Sequence, residues 1–99
     1  MVRIEKWAVV FVSGNVYTPP EQRDRALYGA VYGHPKFEEG FMVQTSDIIG
    51  GSVKTPEGHV AKTRSRDYLL GEPDPAYMTW LEQNGTTFDP EQPIKDANA

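Results

Sequence analysis

Ile4-Glu5-Lys6-Trp7-Ala8-Val9-Val10-Phe11-Val12 decides the fold class. The run is rich in β-branched and aromatic residues, which fit the pleated surface of a strand better than a helix, and Ser13-Gly14-Asn15 bounds it. Trp7, Val9 and Phe11 alternate with Ala8, Val10 and Val12. Both faces are therefore apolar, as in a strand covered on both sides or lying deep in a curled sheet.

Working outward, Thr18 to Arg25 contains Pro19-Pro20, which remove ladder donors, so this stretch is predicted as an exposed loop. Its neighbour Ser13–Pro19 shares Gly-x-Val-Tyr with Tyr28–Pro35, which reads as two strand ends shaped alike. A second strand is expected over Ala26 to Tyr32, and Gly33 to Gly40 forms a loop with two glycines and a proline. A third strand starts at Phe41 and ends at Thr45 or Ser46, followed by the short step Ile48-Ile49 before Gly50-Gly51. Val53-Lys54 opens a strand that turns at Thr55-Pro56-Glu57-Gly58, and a last long strand covers His59 to Leu70. Five or six strands this closely spaced predict a mainly β fold, a small curled antiparallel sheet or barrel of the SH3-like or OB-like kind.

One helix is expected, over about residues 75–84. Asp74 can cap it and Pro75 stands at its first position, where a missing N–H costs nothing. Tyr77, Trp80 and Leu81 recur at i, i+3 and i+4, which predicts a docking face, and Asn84-Gly85 supplies the stop. The resulting organisation is a single β-rich domain over residues 1–86 and a flexible acidic tail over residues 87–99, broken by two prolines.

Ninety-nine residues supply one core, since two would each be too small to stand alone. Without cysteine there is no disulfide framework, thiolate metal site or thiol chemistry, and a cytoplasmic setting fits. The first seven residues read as the start of a strand and not as an export signal, and the longest apolar run, Trp7 to Val12, is far short of the roughly 20 residues a membrane helix needs. The net charge of −4 is uneven: from Glu72 onward six acids face Lys95 alone, a balance of −5, while residues 1–71 carry nine bases and eight acids, a balance of +1. Such a chain lacks the basic footprint of a duplex binder, so nucleic acid is a disfavoured partner.

Three segments carry a resemblance. Leu27-x-Gly-x-Val-Tyr-Gly-His-Pro-x-Phe37, Gly40-x-x-Val-x-Thr-Ser46-x-Ile, and Tyr68-x-Leu-Gly-Glu-Pro-Asp-Pro-x-Tyr77-x-x-Trp-Leu81 together resemble a pattern in small uncharacterised proteins of bacteria and their phages. The resemblance spans roughly residues 27 to 81 and implies a compact scaffold, with no activity or cofactor attached to it.

No catalytic constellation is assembled. His34 and His59 lack the His-x-x-x-His or His-x-His spacing of a metal site, none of Ser13, Ser46, Ser52 and Ser65 sits in a nucleophile elbow, and Gly50-Gly51-Ser52 lacks the Lys of a phosphate loop. Glu38 and Glu39 read as a solvated loop tip, and His34, between Gly33 and Pro35, as a turn histidine satisfied by a loop carbonyl. If His59 to Leu70 is one regular strand, Val60, Lys62, Arg64, Arg66 and Tyr68 share a face, where three cations and an aromatic could hold a small anion or nucleotide. The plainer reading pairs these cations with Asp47, Glu57 or Glu72 across neighbouring strands. Tyr17, Tyr28, Tyr32 and Phe37 raise the same choice between stacking platform and core.

The sequence therefore predicts no enzyme, no cofactor and no metal. It predicts a binding or regulatory accessory module, bacterial or phage-encoded, whose partner is another protein. The alternative is a small oligomeric receptor for an anionic, nucleotide-like ligand, with Lys62, Arg64, Arg66, Tyr68 and His34 as its candidate residues.

Overall fold

The computed structural model describes residues 1–12 and 24–95. Most of the loop expected at Thr18 to Arg25, Tyr17, the Ser13–Pro19 half of the sequence echo and the last four residues lie outside the described residues. Six strands, β1 (Val2–Val12), β2 (Asp24–Tyr32), β3 (Phe41–Gln44), β4 (Val53–Thr55), β5 (Gly58–Lys62) and β6 (Asp67–Leu70), precede one helix, α1 (Pro75–Gln83). They form one sheet in the order β3-β2-β1-β6-β5-β4.

The mainly β fold with one short C-terminal helix holds, with two corrections. The sheet is open, with β3 and β4 as its edges, and it is mixed: β1 runs antiparallel to β2 but parallel to β6, through Val2↔Tyr68, Arg3↔Leu69 and Ile4↔Leu70. The parallel pair arises because the chain turns back between Lys62 and Asp67. His59 to Leu70 is thus a hairpin, β5 and β6 paired through Val60↔Leu69, Ala61↔Tyr68 and Lys62↔Asp67, and not the single strand expected. Thr63 closes the turn: its N–H and hydroxyl both donate to the Arg66 carbonyl, at 3.1 and 2.7 Å.

β1 is not regular either. Its register against β2 passes from Glu5↔Ala30 to Ala8↔Tyr28, so the β1 side has one extra residue, and Lys6 takes a φ of 51°. A bulge of this kind switches which parity of residue faces the core. Val2 and Ile4 point inward before it, Trp7 after it, and all three are buried. Opposite lies Gly29, where a Cβ would meet the Glu5 carbonyl oxygen at 2.8 Å and Ile4 Cγ1 at 2.9 Å. Only glycine lets the bulged backbone come this close.

The core gathers on one face of the sheet: Val2, Ile4 and Trp7 from β1, Leu27 and Val31 from β2, Val43 from β3, Ala61 from β5 and Tyr68 from β6. Trp7 anchors the opposite layer. Its indole Nε1 donates to the Gly71 carbonyl at 2.9 Å, and its ring lies 6.0 Å from Tyr77 and 6.4 Å from Phe88. As expected, Asp74 caps α1, accepting from the Ala76 N–H at 2.9 Å, Pro75 opens it, and Gly85 follows it with a φ of 71°.

The tail expected to be flexible from residue 87 is docked as far as Lys95. Ile94 is 2% exposed, within the core. Its N–H donates to Ser52 Oγ at 3.1 Å, its carbonyl accepts from the Ser52 N–H at 2.8 Å, and Gln92 Nε2 donates to the Ser52 carbonyl at 2.8 Å. Pro90 and Pro93 forbid a helix or an inner strand, but they also narrow the unfolded ensemble and lower the cost of fixing an irregular path.

Candidate contact surface

The hairpin disperses the predicted cationic stripe. Lys62 ends β5, exposed, across from Asp67. Arg64 stands in the turn with its Nε 3.3 Å from Asp47 Oδ2, the plainer of the two readings realised. Tyr68 faces the other way: it pairs with Ala61 and Val2 on the core face and is 4% exposed, so it presents no ring for stacking. Its phenol is held above the ordinary range by burial, partly offset by the charge of Arg66.

Arg66 approaches the residues on either side of His34. Arg66 lines a shallow hollow with Gly33, Pro35 and Asp67, at the mouth of the Gly33–Gly40 loop. The His34 Nδ1 accepts the Lys36 N–H at 3.0 Å, where a bond to a loop carbonyl was expected, so the ring proton of the neutral imidazole sits on Nε2. Partial desolvation lowers the His34 pKa, and the charges of Arg66 and then Lys36 lower it further. The loop is closed by Glu39, whose Oε1 accepts the Gly33 N–H at 2.8 Å, and by the Gly40 N–H donating to the Val31 carbonyl at 2.7 Å.

From His34 an aromatic stack runs to the sheet edge. The His34 and Phe37 centroids are 4.7 Å apart, and Phe37 lies nearly parallel to Phe41, 5.3 Å away at 11°. Phe41 opens β3, whose residues Phe41-Met42-Val43-Gln44 bear no charge. Phe37 is 40% exposed and Phe41 53%, while Met42 at 42% and Tyr28 at 44% lie across the sheet. Large apolar side chains therefore flank the free edge on both faces. Tyr32, by contrast, is half-buried under Arg3, whose guanidinium carbon lies 5.0 Å from the ring centroid.

The backbone of that edge is also available. The Thr45 N–H donates to the Leu27 carbonyl at 2.8 Å, and the register continues through Gly29↔Val43. By the alternation of an antiparallel ladder, Met42 and Gln44 direct their N–H and C=O groups away from β2, and among the described residues no strand pairs with them.

A second concavity, an apolar groove of about 280 Å³, lies between α1 and the C-terminal segment, with Tyr77, Trp80 and Phe88 in its walls. Trp80 stacks on Tyr77 at 6.3 Å but is 49% exposed, so of the three residues expected to dock α1, Trp80 stays at the rim. The Arg25 guanidinium at this groove is engaged by the carbonyls of Lys95, at 2.7 Å, and Gly50, at 3.1 Å. Among the described residues, no three His, Asp or Glu side chains converge as a metal site would require, and no helix is long and apolar enough to cross a membrane.

The edge was missed in the sequence because Phe41, Met42 and Val43 read as ordinary strand residues. Their order gave one usable signal, an uncharged strand directly after a loop holding a further exposed aromatic. Comparison with family models, curated proteins and solved structures gives no match for this chain.

Proposed function

We propose that this protein is a non-enzymatic binding module that takes up an extended segment of another protein along β3. One observation carries the reading: β3 is an edge strand without charge, proline or bulge, flanked on both faces by exposed Phe37, Phe41, Met42 and Tyr28. Natural sheets blunt their edges with such features, because an open edge templates pairing with other chains. An edge left open and lined with aromatics and methionine has the composition of a contact surface. A partner strand would satisfy the outward groups of Met42 and Gln44 and lay its side chains between the apolar groups on either face.

Proline at position 42 separates this role from a structural one. The Met42 N–H points outward, so Met42→Pro removes a donor from the free edge and none from the β2–β3 ladder. Affinity capture from the source cell with wild type, Met42→Pro and Phe37→Ser/Phe41→Ser is the test. A partner held by the wild type should be lost from both variants and kept by Lys54→Gln at the far edge, with melting temperatures within a few degrees. Retention of the same partner by both edge variants would refute the reading.

A further inference from the structure

We infer that the groove between α1 and the C-terminal segment is a second binding site, for a small molecule that joins a planar aromatic ring to a carboxylate. Tyr77, Trp80 and Phe88 stand in its walls, and its volume of about 280 Å³ lies at the lower end of small-molecule sites, roughly 300 Å³. A single ring on a short chain suits a space of this size. The Tyr77 and Trp80 rings stack 6.3 Å apart at 14°, and Trp80 is 49% exposed. Leu81 and Tyr77 hold α1 to the body, so packing leaves one large aromatic half in solvent beside an apolar groove. A π-surface so placed takes a second ring in offset stacking.

The charges lining the groove select an anion of single charge. Among the described residues Arg25 and Lys95 are its cations and Asp89 its acid, whose Oδ1 already accepts the Glu91 N–H at 2.9 Å. Arg25 has neutral partners: its terminal nitrogens donate to the carbonyls of Lys95, at 2.7 Å, and Gly50, at 3.1 Å, and none of the ion pairs among the described residues includes it. Those two bonds fix the guanidinium beside the groove without neutralising it, and use two of its five N–H donors. A carboxylate matches what is left, since it pairs with a guanidinium through parallel N–H bonds and its one negative charge balances the excess of cations. The groove shares no residue with β3 or with the Gly33–Gly40 loop, so its occupation is independent of strand pairing at the edge.

NMR titration of the full chain with 3-phenylpropionate tests this, following the Trp80 indole Nε1–H and the Arg25 Nε–H, with 3-phenylpropionamide and acetate as probes that lack the charge or the ring. The phenylpropionate should give saturable shifts at millimolar concentration. The amide should bind about tenfold more weakly, as expected for losing a charge-assisted pair, and acetate should not saturate. Added salt should weaken phenylpropionate and leave the amide unchanged. Trp80→Ala should weaken both ring-bearing probes alike, by about threefold to tenfold, the worth of one aromatic stack. Arg25→Gln should bring phenylpropionate down to the affinity of the amide; should that variant unfold, the comparison of the two probes in the wild type decides the charge. Phe37→Ser/Phe41→Ser should bind phenylpropionate as the wild type does, which separates failure of this site from failure of the β3 edge. No saturable shift with phenylpropionate, equal affinity for it and its amide, or wild-type affinity in Trp80→Ala would overturn the site.

Discussion

Gly29 and the two tryptophans show how single residues divide the work. The close approach of Glu5 and Ile4 to Gly29 leaves no room for a methyl group, and both obstacles belong to the bulge or lie beside it. Gly29→Ala should therefore cost about 1–3 kcal/mol, the range for overpacking, read from denaturant unfolding. Little or no loss would mean that the bulge shifts freely. Trp7 is 1% exposed at the centre of the core, and Trp7→Ala should cost about 3–5 kcal/mol. The half-exposed Trp80 should cost far less on the same substitution, about 1 kcal/mol. The sequence marked both tryptophans as core, but the period-2 and period-3.6 patterns that mark them say which residues share a face, not where that face ends. The bulge had its own trace: apolar residues fall on even positions at Val2 and Ile4 and on odd ones at Trp7, and Gly29 waits in the partner strand.

Among the elements, local signals were legible and long-range pairings were not. The helix was readable from Asp74, Pro75 and Gly85 because capping is local chemistry. The β5–β6 hairpin was not, since Thr63-Arg64-Ser65-Arg66 lacks glycine and proline and turns through the Thr63 hydroxyl. That one error built the cationic stripe and put Tyr68 on the wrong face. The C-terminal segment was misjudged similarly, because Ile94 is a lone apolar residue in a polar stretch and its contacts with Ser52 span 42 residues of chain. Ile94→Ala should destabilise by about 2–4 kcal/mol, measured by chemical denaturation. A cost under about 0.5 kcal/mol would show that residues 88–95 contribute nothing to the fold.

For the molecule as a whole, the same distinction governs pH response and function. Burial raises the pKa of Tyr68 and Tyr77, with Arg66 and Arg25 respectively opposing it. An unfolded tyrosine ionises near 10, before the folded one, so the stability these groups contribute is intact below about pH 10 and is lost as the pH rises through their folded values. The melting temperature should fall above pH 10, and less steeply in Tyr68→Phe; equal slopes would contradict the burial of that phenol. His34 acts in the opposite sense. Its lowered pKa makes the unfolded chain bind a proton first, so its contribution is lost as the pH falls below about 6.5, and His34→Gln should flatten that limb of the stability curve.

The proposed contact surface follows from the open sheet, which a closed barrel would not have offered: β3 is left with outward backbone groups and apolar flanks. Its most direct test is a photo-crosslinker, benzoylphenylalanine, placed at position 41 in the source cell, with position 53 on the opposite edge as the comparison. A discrete protein adduct is expected from position 41, lost when Met42→Pro is introduced in the same chain, and none of that adduct from position 53. No adduct from position 41, or the same adduct from both edges, would contradict it.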